Sequence, residues 1–306
     1  MEYNIGSINM RRMGLTAITK RDFEKIAQMI VDENLAVVAL QEIFSEGKAV
    51  EKLLKTLKYY VQHELYEWDV CFPDPKETVN FKPTGETYAY LWNKKKFKII
   101  EFSEAGKKRE FESRIIKKDD AGVDPSVFVR PPFYIRLQPL FGGFYELRLL
   151  NIHIIHGEGS TEIDKRIKEF EYLTETVYPE ISTRKYGQFR QPYTIVMGDY
   201  NLNIYCPRVI TEEKHANLTQ EVRTEYLSQE GQKINVLTVQ NQLTTLKESN
   251  GYSNNYDHFS YSSESSPFRR VSCRVIDAVQ KYCGNDFNYY REKISDHLPI
   301  VITIDI

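Results

Sequence analysis

The chain has 306 residues, a length that layered α/β folds often reach within one domain. Apolar residues make up 41% of it and aromatic residues 13%, which excludes a disordered chain and allows a large packed core. The formal net charge of −2 argues against a general basic coat for nucleic acid. It leaves a local basic groove open, because phosphate binding depends on where the cations lie.

The sequence carries no evident targeting or membrane segment. Its first residues lack the apolar core of a signal peptide, and no stretch approaches the roughly 18 apolar residues that span a bilayer. Its four cysteines show no CxxC spacing, so a zinc site is not expected. Together these features predict a reduced, cytoplasmic protein.

Short apolar strands alternate with amphipathic helices in the first half of the chain. Apolar residues at helical spacing, among them Phe23, Ile26 and Ile30, predict a helix over 21–34, and residues 47–57 repeat that spacing. Apolar runs typical of buried strands cover residues 3–10, 36–41, 87–92, 97–102 and 127–138.

The second half continues this alternation. Two strand-like runs flank Gly142-Gly143, which predicts a β-hairpin, and Thr161 is expected to cap a helix over 161–178. Residues 211–247 are polar and mostly helical in character. Further strands are predicted at 193–199, 255–261, 271–276 and 299–305. Because no repeat or boundary is visible, residues 1–306 are predicted to form a single domain.

One strand ends in an unusual way, in the stretch IVMGDYNLN at residues 195–203. Asp199 and Asn201 lie two residues apart, so in an extended chain their side chains point the same way. A buried strand that ends with an acid and an amide on one side either caps a turn or holds a ligand.

Other predicted strands also end, or are interrupted, with residues suited to metal or phosphate chemistry. Each one alone has a structural explanation, such as a turn cap or a core histidine. Because strand ends of a layered sheet converge on one edge, where ligands bind, the joint set indicates a functional site. Its members are Asn9, Glu42, Glu86, His153, Asp257, Asp296 and His297.

With these residues in place, the chain resembles the endonuclease/exonuclease/phosphatase superfamily, and within it the deoxyribonuclease I-like branch. The matching motifs, in family order, are SINMRRMG (7–14), ALQE (39–42), ETYAYLW (86–92), VRPPF (129–133), NIHIIHGEGSTEID (151–164), MGDYNLN (197–203), NNYDHF (254–259) and SDHLPIVIT (295–303). The resemblance implies a four-layer α/β sandwich, in which two mixed β-sheets pack face to face and are flanked by helices.

The resemblance also implies a metal-dependent hydrolysis of a phosphoester by in-line attack of water, assisted by Mg²⁺ or Mn²⁺. Hard divalent cations prefer oxygen ligands, so one or two carboxylates suffice to hold them. Glu42 is the first candidate for the metal ligand, supported by Asn9 and Asp296.

By the same resemblance, His153 and His297 flank the scissile phosphate, one activating water and the other protonating the leaving oxygen. Glu86 would orient His153, and Asp257 would orient His297. Asp199 is an alternative base for the water, and the sequence does not decide between these roles. Three further residues are candidate phosphate contacts, namely Asn201, Arg11 and Arg130.

The substrate is the open part of this interpretation. Deoxyribonuclease I inserts an Arg and a Tyr into the DNA minor groove, and this chain has Phe44 and Thr84 at those places. The first hypothesis is an endonuclease with DNA as substrate. The alternatives are a phosphoesterase for a small-molecule or phospholipid phosphate, and a non-enzymatic binding module that keeps the fold.

Overall fold

The computed structural model describes residues 1–306 except 61–66, 79–84, 104–109, 112, 117–122, 142–143, 187–189, 204–222, 228–232, 240–241 and 263–270. The strands are β1 (Glu2–Met13), β2 (Leu35–Ile43), β3 (Trp68–Cys71), β4 (Thr87–Asn93), β5 (Phe97–Ile99), β6 (Phe102–Ser103), β7 (Glu110–Phe111), β8 (Ser113–Ile115), β9 (Phe133–Pro139), β10 (Tyr145–His153), β11 (Gln191–Asp199), β12 (Arg223–Leu227), β13 (Lys233–Val239), β14 (Asp257–Ser262), β15 (Ser272–Val275) and β16 (Ile300–Asp305).

The helices are α1 (Ala17–Lys20), α2 (Phe23–Asp32), α3 (Lys48–Tyr60), α4 (Ser160–Tyr172), α5 (Tyr178–Thr183), α6 (Ala278–Cys283) and α7 (Phe287–Lys293). A π-helical turn at Leu173–Val177 joins α4 to α5. No helix in the described part of the chain is both long and apolar enough to cross a lipid bilayer.

The described strands form two large mixed sheets. The first has six strands in the order β15-β16-β1-β2-β4-β3, and β1 with β2 is its parallel pair. The second has eight strands, in the order β12-β13-β14-β11-β10-β9-β5 with β8 also on β9, and β10 with β11 is its parallel pair. β6 and β7 form a separate two-stranded ribbon.

Three apolar clusters separate the layers and hold them together. The cluster between the sheets includes Val37 and Tyr90 from the first sheet and Leu149 and Ile195 from the second, all fully buried. A second cluster lies between the first sheet and α2, α3, α6 and α7, and a third lies between the second sheet and α4 and α5. Because both faces of each sheet are covered, the strands read as continuous apolar runs. The predicted four-layer α/β sandwich is therefore confirmed.

Most predicted elements are present, and the differences have local causes. The strand predicted over 127–138 begins only at Phe133, because Pro131-Pro132 cannot donate ladder hydrogen bonds before it. The strand predicted over 97–102 ends at Ile99. The helix predicted from Thr161 begins at Ser160, and its N-cap is Gly159 in an extended conformation without a side-chain cap.

The helical interpretation of residues 211–247 is wrong where the structure describes them. This segment forms the antiparallel pair β12 and β13, and β13 also pairs with β14. The alternating run KINVLTV carries β-branched residues that favour a strand, and the polar composition outweighed that signal in the sequence analysis. Part of this range, residues 211–222, lies outside the described residues. The predicted hairpin is present as the antiparallel pair β9 and β10. Its predicted turn, Gly142-Gly143, lies outside the described residues.

Candidate active site

Three neighbouring strands of the second sheet bring polar residues into one row. In the register of the parallel pair β10 and β11, His153 lies opposite Asp199. In the antiparallel pair β11 and β14, Asp199 lies opposite Asp257. Gly198 permits this close pairing, because a Cβ there would lie 1.9 Å from the carbonyl oxygen of Ile152. The glycine of the MGDYNLN motif is thus a packing requirement of the site.

Asp199 is the centre of the site. Its Oδ2 lies 3.5 Å from Nε2 of His153 and 3.7 Å from Nε2 of His297. The same oxygen accepts a hydrogen bond of 2.9 Å from Nδ2 of Asn9, which comes from the first sheet. Its other oxygen accepts the backbone N–H of Asn201 at 2.8 Å. One carboxylate therefore links both histidines and both sheets.

Each histidine is held from behind by its own carboxylate. Nδ1 of His153 is hydrogen-bonded to Oε1 of Glu86, and Nδ1 of His297 lies 2.9 Å from Oδ2 of Asp257. These bonds direct the two Nε2 atoms towards Asp199. The sequence analysis assigned the same carboxylates to the same rings.

The charges around these rings raise their pKa values. Burial alone would lower the pKa of His297, but Asp257 and Asp199 outweigh it and raise that pKa well above its usual value. Burial likewise opposes protonation of His153, and the charges of Glu86 and Asp199 raise its pKa. Burial would raise the pKa of Glu86, but His153 and Arg130 lower it. The site thus favours imidazolium rings beside ionised carboxylates.

Glu42 lies at the end of β2 and faces the same cleft. Its Oε1 accepts from Nδ2 of Asn9 at 3.1 Å, and its Oε2 accepts the backbone N–H of Arg12 at 2.9 Å. Its backbone φ is +57°, in the left-handed region that a glutamate rarely adopts. Within the described residues, no Lys or Arg side chain forms an ion pair with Glu42 or Asp199.

The role of Asn9 as a metal ligand stays a prediction, and the structure shows a second role for it. It is fully buried, and its Nδ2 donates to both Glu42 and Asp199. Its Oδ1, the atom that a cation would need, accepts the backbone N–H of Arg11 at 2.9 Å. The structure therefore places Asn9 as a bridge that holds two carboxylates together.

Asp296 lines the same cleft as Glu42, but Nε of Arg11 lies 3.2 Å from its Oδ2. A different group, Asp199, Asp257 and His297, offers ligand atoms within 4.8 Å of one another. Because Asp257 and His297 are hydrogen-bonded to each other, we read that pair as an acid–base unit. The oxygen donors suited to a hard cation are those on the Glu42 side of Asp199.

Asn201 lines the cleft as predicted for a phosphate contact, at a backbone φ of +50°. Its Nδ2 donates to the carbonyl oxygen of Ile154 at 2.9 Å. The buried Arg166 of α4 donates to the carbonyl oxygens of Asn201 at 2.6 Å and of Gly157 at 2.7 Å. Arg166 was not predicted as a site residue, because its position in a helical pattern does not indicate a hydrogen-bond partner 35 residues away.

Arg130, a predicted phosphate contact, has partners within the protein. Its guanidinium is buried and donates to Oε2 of Glu86 at 3.0 Å and to the carbonyl oxygens of His153 and Ile154 at 3.1 and 3.3 Å. All three of its nitrogens thus have protein acceptors. Arg130 fixes Glu86 behind His153 and also lines the cleft, and its role as a phosphate contact stays a prediction.

Arg11, the third predicted phosphate contact, is not among the residues that line the cleft. Between Asn9 and Met13 the pairing of β1 with β2 is irregular, and Arg11 and Arg12 have φ of +45° and +55°. Strand alternation therefore fails here. Arg11 donates to the carbonyl oxygen of Arg291, while Arg12, which the sequence analysis passed over, lines the cleft.

The cleft around these residues has a volume of about 910 Å³ and opens to solvent. Besides the residues described above, its lining includes the aromatic side chains of Phe44 and Tyr256 and a third histidine, His156. An open cleft with aromatic walls and a charged floor has room for a phosphoester together with its flanking groups.

The fold and the site together define the class of structure. No protein-family profile matches the sequence, and no curated protein matches it significantly. Solved structures do match in fold over almost the whole chain, and one of them is described as an endonuclease/exonuclease/phosphatase family protein. The resemblance identified from the motifs is confirmed at the level of the fold.

Three of these structures illustrate the likeness. An endonuclease/exonuclease/phosphatase family protein from Bacteroides thetaiotaomicron matches with a TM-score of 0.54 and 13% identity, over 99% of this chain and 97% of that one. TDP2 from D. rerio, complexed with a single-strand DNA product, matches at 0.52 and 16% over 100% and 99%. ANGEL2, a 2′,3′-cyclic phosphatase, in complex with adenosine-2′,3′-vanadate, matches at 0.52 and 13% over 99% and 95%.

Proposed function

We propose that the protein is a divalent-metal-dependent phosphodiester hydrolase, and more specifically an endonuclease that cleaves DNA by in-line attack of water. The position of Asp199 supports this most, since its Oδ2 lies between the Nε2 atoms of His153 and His297 at 3.5 and 3.7 Å. The two imidazole rings lie on either side of one carboxylate. One ring can therefore act on the entering oxygen and the other on the leaving oxygen of the same phosphorus atom.

The two histidines divide the proton transfers. His297, whose pKa is raised well above its usual value, holds a proton at Nε2 and gives it to the leaving oxygen as the P–O bond breaks. The proton of the attacking water goes to Asp199, or to His153 in the fraction of molecules whose ring is neutral, because the raised pKa of His153 favours its protonated form. Glu86 and Asp257 keep the rings oriented and stabilise their charged forms.

The oxygen donors of the cleft fit a hard cation. Glu42 and Asp199 converge on the amide of Asn9, and no Lys or Arg side chain among the described residues neutralises them by an ion pair. A bound Mg²⁺ or Mn²⁺, held by Glu42 with Asp296, would neutralise the charge that develops on the phosphoryl oxygens. Asn9 and the N–H of Arg12 keep the carboxylate of Glu42 in place.

A polynucleotide is the substrate that the site supports best. A structural neighbour, TDP2, is complexed with a single-strand DNA product, and the open cleft of about 910 Å³ has aromatic walls on which a base can stack. The second candidate is a phosphoesterase for a small phosphoester, which the likeness to ANGEL2, a 2′,3′-cyclic phosphatase, favours.

One set of incubations separates these candidates. Purified protein is given plasmid, single-stranded DNA, RNA, a 2′,3′-cyclic nucleotide and inositol phosphates, each with Mg²⁺ or Mn²⁺ and each with excess EDTA. We expect metal-dependent nicking of the plasmid. Release from small phosphoesters without strand cleavage would support the second candidate, and no hydrolysis of any substrate would favour a binding module.

A further inference from the structure

A basic surface leads away from the cleft on the side of the first sheet. Two hollows of about 550 and 690 Å³ lie next to it. Arg12 lines both the cleft and the first hollow, and Lys20, Arg21 and Lys293 line both hollows. The first hollow therefore lies next to the cleft and the second lies next to the first, and the elements that form the two hollows are β1, α1, α2, α3 and α7.

The charge of this surface contrasts with that of the whole chain. Eight of the side chains that line the two hollows are cationic and three are acidic, whereas the chain carries a net charge of −2. One of the acids, Asp22, is already occupied, because it caps α2 and accepts from the hydroxyl of Tyr289. The surface thus has an excess of positive charge beside an acidic catalytic floor.

Some of these cations build the surface and others are available on it. Arg21 donates to carbonyl oxygens of Arg11 and Ile294, which ties β1 to the end of α7. Arg11, Lys52 and Arg291 likewise donate to carbonyl oxygens. In the described part of the chain, no side-chain hydrogen bond or ion pair is made by the remaining four, Arg12, Lys20, Lys55 and Lys293. We call these four residues the basic track.

The track ends beside an exposed aromatic ring. Tyr59 of α3 lines the second hollow with 78% of its surface exposed. An exposed ring next to cations that follow a groove is the arrangement that binds single-stranded nucleic acid, through base stacking and phosphate contacts. The concave shape of the hollows suits a strand better than the flat surface of a membrane.

We propose that the basic track is a second nucleic-acid site, which binds the backbone of a polynucleotide several nucleotides away from the scissile phosphate, with Tyr59 as a stacking platform. This inference rests on the proposed nuclease function and assigns its substrate class. A mononucleotide would occupy the cleft and leave the track unused. A strand, which carries a phosphate at every nucleotide, would engage both.

The test measures binding without turnover. A fluorescein-labelled 15-nucleotide oligothymidylate is titrated in EDTA, and fluorescence anisotropy gives the dissociation constant over a range of salt concentrations. The triple variant Lys20→Glu, Lys55→Glu, Lys293→Glu should bind about tenfold more weakly or worse than the wild type. The same three positions changed to Gln should lower the salt slope by about 2, because each lost phosphate contact removes ~0.7.

A matched control carries the same change of charge elsewhere. Lys98, Lys165 and Lys168 are exposed on the second sheet and on α4, and their triple change to Glu should alter the affinity by less than about twofold. Tyr59→Ala should weaken binding about fivefold, and Tyr59→Phe should retain it. Thermal unfolding of each variant checks the fold.

Three results would overturn the proposal. They are equal losses in the two triple Glu variants, an unchanged salt slope in the Gln variant, and binding to phosphatidylserine vesicles that exceeds binding to the oligonucleotide and depends on the track. Because EDTA prevents turnover, this result is independent of the plasmid assay. A protein that binds through the track but cleaves nothing would contradict the nuclease proposal alone.

Discussion

The two ends of β10 carry two different kinds of buried charge. Near its start, Glu146 is bound by Nε and Nη2 of Arg136 and by Nε of Arg148, all at 2.8 Å, with the ring of Tyr186 over both guanidinium groups. At its last residue, His153 lies between Glu86 and Asp199. The same strand therefore ends in a permanently charged cluster on one side and a titratable cluster on the other.

The difference shows how a structural cluster and a reactive one are built. Arginine stays protonated at all relevant pH values, so the carboxylate of Glu146 always has charged partners in Arg136 and Arg148. In the cleft, histidines take the place of arginines, and within the described residues no Lys or Arg side chain forms an ion pair with Glu42 or Asp199. The first arrangement stabilises the fold. The second can exchange protons and attract a cation, at a cost in stability.

The largest effect is expected from His297→Ala. Removal of this ring should lower kcat about 10²–10⁴-fold, because a general acid is lost, while the melting temperature changes by a few degrees at most. Plasmid nicking and thermal unfolding of the same preparation measure both. If turnover stayed within a few-fold of the wild type, His297 would not be the general acid.

Arg136→Met tests the structural end of the strand. One of the two partners of buried Glu146 is lost, so the free energy of unfolding should fall by about 3 kcal/mol. Urea unfolding measures this, with Lys98→Met, at an exposed position on β5, as the control. Activity per folded molecule should persist, since the change lies at the opposite end of β10. A loss of activity without a loss of stability would contradict the division between the two ends.

The same cluster predicts a dependence of stability on acid. Burial would raise the pKa of Glu146, but Arg136 and Arg148 lower it below its usual value. Its stabilisation is therefore complete above the unfolded-state pKa of ~4.3 and is lost as the pH falls through the folded-state value. Wild type should lose more stability between about pH 5 and 3 than Glu146→Gln in urea titrations. Parallel curves for the two proteins would show that Glu146 has no such role.

The smallest effect is expected from Lys281→Met. Glu33 is buried and accepts from Lys281 at 2.6 Å, but the lysine side chain is 54% exposed, and Arg274 and Tyr282 remain as partners. The free energy of unfolding should fall by at most about 1 kcal/mol, because solvent screens such a pair. If the free energy of unfolding fell as much as for Arg136→Met, the solvent exposure of the cation would not explain the difference between the Glu33 and Glu146 ion pairs.

Much of the site could be predicted because it lies on regular strands. His153, Asp199 and Asp257 stand in one row through the register of β10, β11 and β14, and runs of apolar residues identify those strands in the sequence. Their carboxylate partners follow from the family resemblance. Local pattern and motif order thus carried the fold and the two histidine–carboxylate pairs.

The rest depends on features that residue patterns do not encode. Arg12, and not Arg11, lines the cleft, because the pairing of β1 is irregular here and both residues have a positive φ. Arg130 is bound to Glu86 across 44 residues of chain, and a guanidinium suits a phosphate equally well. The acceptors that surround such groups are set by tertiary packing, so only coordinates separate a substrate contact from an internal ion pair.

The central claim is that Asp199 is the central residue of the active site of a phosphodiester hydrolase. Asp199 lies between two histidines and beside oxygen donors for a cation. The most direct test of this claim is plasmid nicking in Mg²⁺ by wild type and by Asp199→Asn, which keeps the size of the side chain and removes its charge. We predict nicking by the wild type, abolished by EDTA, and a loss of at least about 10²-fold in the variant. Equal nicking by both proteins, or nicking that persists in EDTA, would contradict the account.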